Sequence, residues 1–199
     1  MKLRVLFQLT GVCMISTLFA CSSAMQLAYT KPAATTINKG KLSVIISDQR
    51  VPDRGGNDPL VVGIVRNAFG MPFPVKAASN REPTKVAKEL MSECLRAAGY
   101  KVVDPSNKTP QLHAVLKVFW SDGYQHSRMG ILMPLELKKN EKSPPVWKHG
   151  LDVNTGFTAK SAGFRQFNQG YNKMLERTKD KLLELFNSKE FENKYRALR

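Results

Sequence analysis

Hydrophobic positions along this chain follow two periods, and the change from one to the other marks its elements. Residues 41–50 contain Leu42-Ser43-Val44-Ile45-Ile46, a run that predicts a buried strand. A turn-rich stretch, Pro52-Asp53-Arg54-Gly55-Gly56-Asn57-Asp58-Pro59, follows. Residues 60–66 are β-branched and predict a second strand, whereas 67–80, with Gly70, Pro72 and Pro74, read as a long irregular loop. Between 82 and 98 the spacing becomes helical. Val86, Leu90 and Cys94 recur four apart, flanked by Ala87, Met91, Leu95 and Ala98. Pro83 suits the first turn of this helix, and Gly99 suits the left-handed position after its last.

Residues 100–104 return to a short strand, stopped by Pro105. Three more strands follow with period 2. Leu112, Ala114, Leu116, Val118 and Trp120 share one face of the first; Met129, Ile131, Met133, Leu135 and Leu137 share one face of the second. In the third, Trp147, Leu151, Val153 and Phe157 alternate against Lys148, Asp152 and Asn154. Such alternation predicts an antiparallel meander with one packed face, turning near Gly123 and around 140–145. Pro134 predicts an exposed edge or a bulge in the second of these strands. A final helix over 164–187 carries Phe164, Phe167, Tyr171, Leu175, Leu182 and Phe186 on one stripe, a core pattern rather than a cofactor box. The order β-β-α-β-β-β-β-α predicts an α+β fold, a mainly antiparallel sheet with two helices packed on one face.

The first twenty residues have another pattern. Lys2 and Arg4 precede a mostly apolar run from Val5 to Phe19, too short to cross a bilayer comfortably and matched to the core of an export signal. The run ends in Leu18-Phe19-Ala20-Cys21-Ser22. This ending resembles the lipobox of bacterial lipoproteins, with Leu at −3, a small Ala20 at −1 and the cysteine at +1; Phe19 at −2 is bulkier than usual there. The resemblance implies signal-peptidase cleavage between Ala20 and Cys21, a diacylglycerol thioether on the Cys21 sulfur and acylation of the new amine. Ser22, rather than Asp, implies the outer membrane. Three acyl chains hold a protein durably where one gives only marginal binding. The expected organisation is thus a lipoprotein signal peptide at 1–20, a flexible tether at 21–39, one domain at 40–188 and a charged tail at 189–199 that either continues as a helix or frays.

Charge adds to this picture. The 199 residues carry a formal net charge of +15, which becomes +13 once Lys2 and Arg4 leave with the signal. That balance favours anionic partners such as lipid headgroups or acidic glycans. Nucleic acid is not an expected partner: the basic residues are dispersed, with acids interleaved in the last helix, and export removes nucleic acid from reach. Cys13 leaves with the signal and Cys21 is the acyl acceptor, so Cys94 stands alone, no internal disulfide can form, and Cys94 reads as a small buried core residue.

Catalytic patterns are not recognisable. His113, His126 and His149 lack metal-ligand spacing, so no metal site and no cofactor are expected. Asp48, Asp53 and Asp58 beside Arg50 and Arg54 read as turn chemistry and surface pairing. With no phosphate loop, nucleophile elbow or Cys-His arrangement, an enzyme is not expected.

Several segments resemble the small outer-membrane lipoproteins of the YajG-like group and periplasmic domains with the fold of the TolB N-terminal domain. They are Asp48-Gln49-Arg50 closing the first strand, Gly63-Ile64-Val65-Arg66-Asn67-Ala68-Phe69-Gly70, Leu95-Arg96-Ala97-Ala98-Gly99-Tyr100-Lys101-Val102, and Val146-Trp147. The resemblance implies a non-enzymatic envelope component facing the periplasm on its lipid anchor. A binding or assembly role with an envelope protein is the first expectation, with Phe69, Met71 and Phe73 as the candidate partner loop. The alternatives are a basic domain that binds anionic lipid or glycan, and an auxiliary subunit of an envelope lipid transporter.

Overall fold

A computed structural model describes residues 24–66, 70–123, 127–157 and 164–199. Its strands are β1 (Gly40–Asp48), β2 (Val61–Arg66), β3 (Pro72–Lys76), β4 (Tyr100–Val102), β5 (Gln111–Leu116), β6 (Val118–Gly123), β7 (Ser127–Lys138) and β8 (Trp147–Phe157). Its helices are α1 (Pro83–Ala97), α2 (Phe164–Phe186) and α3 (Lys189–Arg196), with a 3-10 turn at Pro52–Arg54. The fold is α+β, with a mostly antiparallel sheet and α1 and α2 against it, as the periodicities predict. Gly99 ends α1 with φ of +97°, the left-handed position that glycine occupies at least cost.

The sheet is organised around β7. One edge pairs antiparallel with β8 from Leu137↔Trp147 to Ser127↔Phe157. The other edge pairs with β6 and then β5, which behave as one long strand broken at Lys117. Beyond them the sheet forks: β1 and then β4 add in parallel to β5, while β2 adds in parallel to β6 and β3 lies antiparallel outside it.

The break at Lys117 is a bulge. Between Ala114↔Leu135 and Val118↔Leu132 the β5–β6 side takes one more step than β7, which flips every later side chain to the other face. Leu112, Ala114 and Leu116 are therefore buried as predicted, but beyond the bulge Phe119 and Ser121 point inward in place of Val118 and Trp120. Pro134 sits across from this bulge, in an interior strand rather than an edge. The Leu132 carbonyl accepts from Lys117 N–H at 3.0 Å, so the proline two residues on faces the same side. The bond that Pro134 cannot donate falls where the ladder is already interrupted.

The apolar stripes of α1 and α2 meet the inward face of the sheet. Val86, Leu90, Met91, Cys94 and Leu95 lie against Phe167, Tyr171, Met174, Leu175 and Leu182, all at most 2 % exposed. Two segments differ from the sequence expectation, and for a third the structure decides between two alternatives. Residues 72–76, expected as irregular, form β3, because prolines are tolerated on a strand whose outer edge has no partner strand among the described residues. Residues 189–199, expected as a charged tail that is either helical or frayed, contain α3 (Lys189–Arg196). Ser188 caps it by accepting from Phe191 N–H at 3.2 Å, and Phe191 and Tyr195 are buried. Their rings meet Tyr100 edge-on at 5.7 and 4.9 Å. Within 21–39, expected as a flexible tether, Met25 to Lys31 are docked on the domain, with Met25 and Leu27 at 2 % and 0 % exposure.

Candidate functional site

The residues that the sequence singles out fall in two places. Ala20, Cys21 and Phe69 lie outside the described residues, as does His126. Met71 and Phe73 are described and strongly exposed, at 52 % and 48 %. Phe73 belongs to β3, where it pairs with Val65 of β2, and Pro72 pairs with Arg66. Alternation puts Phe73 on the same face as Val75, which belongs to the buried core at 1 % exposure. Phe73 therefore continues the core-facing row into solvent, and Met71 precedes it.

The free edge of β3 is chemically unusual. Lys76 and the two prolines, Pro74 and Pro72, share one parity, and the Lys76 carbonyl points outward to accept Met25 N–H at 2.8 Å. On that edge Pro72 and Pro74 present carbonyls and no N–H. A strand added there would lack half of its ladder, a device that keeps an edge from pairing with another chain.

Residues 24–31 lie across the end of this edge. Met25 forms a parallel bridge with Ala77, completed by Ala78 N–H donating to the Met25 carbonyl at 3.0 Å. Further on, Ala28 N–H donates to Asn172 Oδ1 at 3.0 Å and Thr30 N–H donates to Glu176 of α2. The Leu27 carbonyl accepts from Arg81 Nε at 2.7 Å, and Lys31 pairs with Glu93 of α1 at 2.9 Å. The segment is thus fastened to β3, α1 and α2 within ten residues of Cys21.

A buried charge closes the fork of the sheet. Arg50, with its side chain at 0 % exposure, pairs with Asp48 at 2.8 Å. Its Nε donates to both Asp48 oxygens at 3.0 and 3.2 Å. Its Nη1 donates to the Val61 carbonyl at 2.9 Å and its Nη2 to the Pro59 carbonyl at 3.0 Å. Burial alone would raise the Asp48 carboxyl, but the side-chain and backbone bonds from Arg50 outweigh it and hold the group below the usual carboxylate range. Surface pairing, expected for this cluster, is therefore not the role of Arg50. It joins the end of β1 to the start of β2, a structural task. The clue available in the sequence was a lone arginine directly after a hydrophobic strand and before a glycine-rich turn.

The remaining candidates do not converge. His113 Nε2 hydrogen-bonds Gln111 Oε1 at 3.0 Å, and partial burial together with nearby Lys138 lowers its pKa. His149 is exposed and stacks on Trp147 with centroids 5.5 Å apart. Cys94 is fully buried on α1, and desolvation pushes its thiol up to about 12. Among the described residues, no three of His, Cys, Asp and Glu lie close enough together to hold a metal ion, and no helix is long and apolar enough to cross a membrane.

Neither the protein-family models nor the curated proteins contain a match to this chain. Solved structures do. A Xanthomonas campestris protein of the DUF330 family superposes with a TM-score of 0.55 at 16 % identity, covering 88 % of this chain and 98 % of its own. Rare lipoprotein B from Shewanella oneidensis gives 0.41 at 12 % identity, over 76 % of this chain and 96 % of its own. A minor lipoprotein from Acinetobacter baumannii gives 0.42 at 10 % identity, over 75 % and 90 %. The likeness to the Xanthomonas protein shows a shared fold.

Proposed function

We propose that this chain is an outer-membrane lipoprotein of the cell envelope, related to the YajG-like group, that faces the periplasm and acts as a non-enzymatic binding or assembly component. The observation that carries this reading is the ending Leu18-Phe19-Ala20-Cys21 after a basic start and an apolar run. Two of the similar structures are themselves named lipoproteins, which agrees with it. The non-enzymatic part of the reading draws on the sequence, which carries no phosphate loop, nucleophile elbow or Cys-His arrangement. An envelope protein is the proposed partner.

Fractionation of cells expressing the intact precursor tests the anchor. The parent protein should sediment with outer membranes and stay there through a high-salt wash. Cys21→Ser should leave the protein unacylated and soluble, or retained as an uncleaved precursor. Equal membrane retention of a processed Cys21→Ser protein would refute the proposal. A second reading draws on the net charge, +15 for the full chain and +13 without Lys2 and Arg4: the domain also binds anionic lipid or glycan, each cation near an anionic surface contributing ~1 kcal/mol that salt screens. Binding of the domain to anionic vesicles that is insensitive to salt would exclude it. An auxiliary role in lipid transport rests on analogy of fold alone.

A further inference from the structure

We infer that the exposed start of β3, with Met71 and Phe73, rests in the interface of the same bilayer that holds the Cys21 anchor. The inference depends on the anchored reading above and adds which face of the domain meets the membrane. Its first support is distance. Met25 lies four positions after Cys21, and a chain of that length spans at most about 14 Å. Met25 is not free to extend the reach, because its N–H and carbonyl are both bonded to the β3 edge. A docked Met25 therefore keeps this edge of the domain close to the acyl chains.

Direction is the second support. The bridge between Met25 and Ala77 is parallel, so the chain arrives at Met25 from the side of Phe73, not from the side of Ala78. Phe73 lies four residues before Ala77 on an extended strand, about 13 Å at ~3.3 Å per residue. The anchor's reach and the distance to Phe73 are thus matched, and they run the same way. An anchored cysteine and two exposed apolar side chains, Met71 at 52 % and Phe73 at 48 %, then share one end of the molecule.

The third support is the chemistry of the edge. An added protein strand needs N–H donors that Pro72 and Pro74 lack. A lipid interface needs none: its ammonium headgroups and water satisfy the outward carbonyls, while the aromatic ring and the thioether enter the boundary with the acyl region.

The test uses the acylated full-length mature protein, purified from membranes and reconstituted in vesicles of phosphatidylethanolamine and phosphatidylglycerol. An environment-sensitive fluorophore is attached at Phe73→Cys and, in a second sample, at Val146→Cys. Val146 is exposed and lies beside Leu137 at the opposite end of β7, and buried Cys94 does not compete for the label. The expected result is several-fold stronger quenching by nitroxide lipids at position 73 than at 146, with matching protection from aqueous iodide. Equal quenching at both positions, with the N-terminal peptide shown by mass to carry acyl chains, overturns the inference alone. Protection at 73 that appears in native membranes but not in vesicles also overturns it, by assigning the surface to a protein. An N-terminal peptide without acyl chains overturns the anchored reading, and this inference with it.

Discussion

Replacing Arg50 is the sharpest test of how the domain holds its forked sheet together. The guanidinium is wholly enclosed and bonds Asp48 and the carbonyls of Val61 and Pro59. Removing one partner of a buried pair costs about 3–5 kcal/mol when the other charge stays buried. Asp48 keeps 26 % of its side chain exposed, so it regains water and the lower end applies. We expect Arg50→Ala to lose about 3 kcal/mol, of which the two orphaned carbonyls account for a large share. For a domain of this size that lowers Tm by roughly 6–12 °C. Arg50→Lys keeps the charge but cannot reach all three acceptors from one ammonium, and should fall between the two. Gly55→Ala should reproduce the loss, because Gly55 has φ of +97° and an added Cβ would stand 2.5 Å from Arg50 Nη1. Arg54→Ala, at an exposed neighbouring site, should stay within about 0.5 kcal/mol of the parent. Urea unfolding followed by circular dichroism measures all four. A cost for Arg50→Ala no larger than that for Arg54→Ala would refute the reasoning.

Three further outcomes follow from the same packing. Leu27→Ala should cost about 2–4 kcal/mol by the same unfolding assay, since Leu27 is fully buried; a free tether would show no change. Native Cys94 should react with thiol reagents on the order of 10³ more slowly than in urea, because burial moves its pKa from 9.0 to about 12. Asp48 has a lowered native pKa, so its contribution to stability is full above the unfolded carboxylate value near 3.9 and fades as pH falls through the lower native one. Acid unfolding should accordingly be steeper below pH ~4 in the parent than in Asp48→Asn, as read from urea midpoints across pH.

The most legible parts of the chain were those where one periodicity ran unbroken. In α1 the four-residue recurrence, Pro83 and Gly99 all agreed, and the helix lies within a residue of its expected ends. β7 likewise buries Met129, Ile131, Met133, Leu135 and Leu137 on a single face. Legibility failed where a local signal pointed away from the tertiary answer. Pro72 and Pro74 argued against a strand, yet on an outer edge their missing donors cost nothing. The bulge at Lys117 changed the phase of the alternation, which no count of period-2 matches across 112–120 could reveal. In α3, Lys189, Glu190, Glu192, Lys194 and Arg196 left helix and frayed tail both open, and the burial of Phe191 and Tyr195, four apart, decides for the helix. Met25, Leu27 and Tyr29 alternate with Gln26, Ala28 and Thr30, a strand-like signal for docking hidden in a segment whose composition resembles a linker. The burial of Arg50 had no local signature beyond its place in the chain, because its acceptors come from residues nine and eleven positions away.

Whether a membrane truly holds this domain is decided by the mass of its first peptide. Mature protein isolated from the cell envelope and digested with a protease should yield a peptide that begins at Cys21, with a diacylglyceryl group on its sulfur and a third fatty acid on its amine. A mature terminus at any other residue, or an unmodified Cys21, contradicts the account.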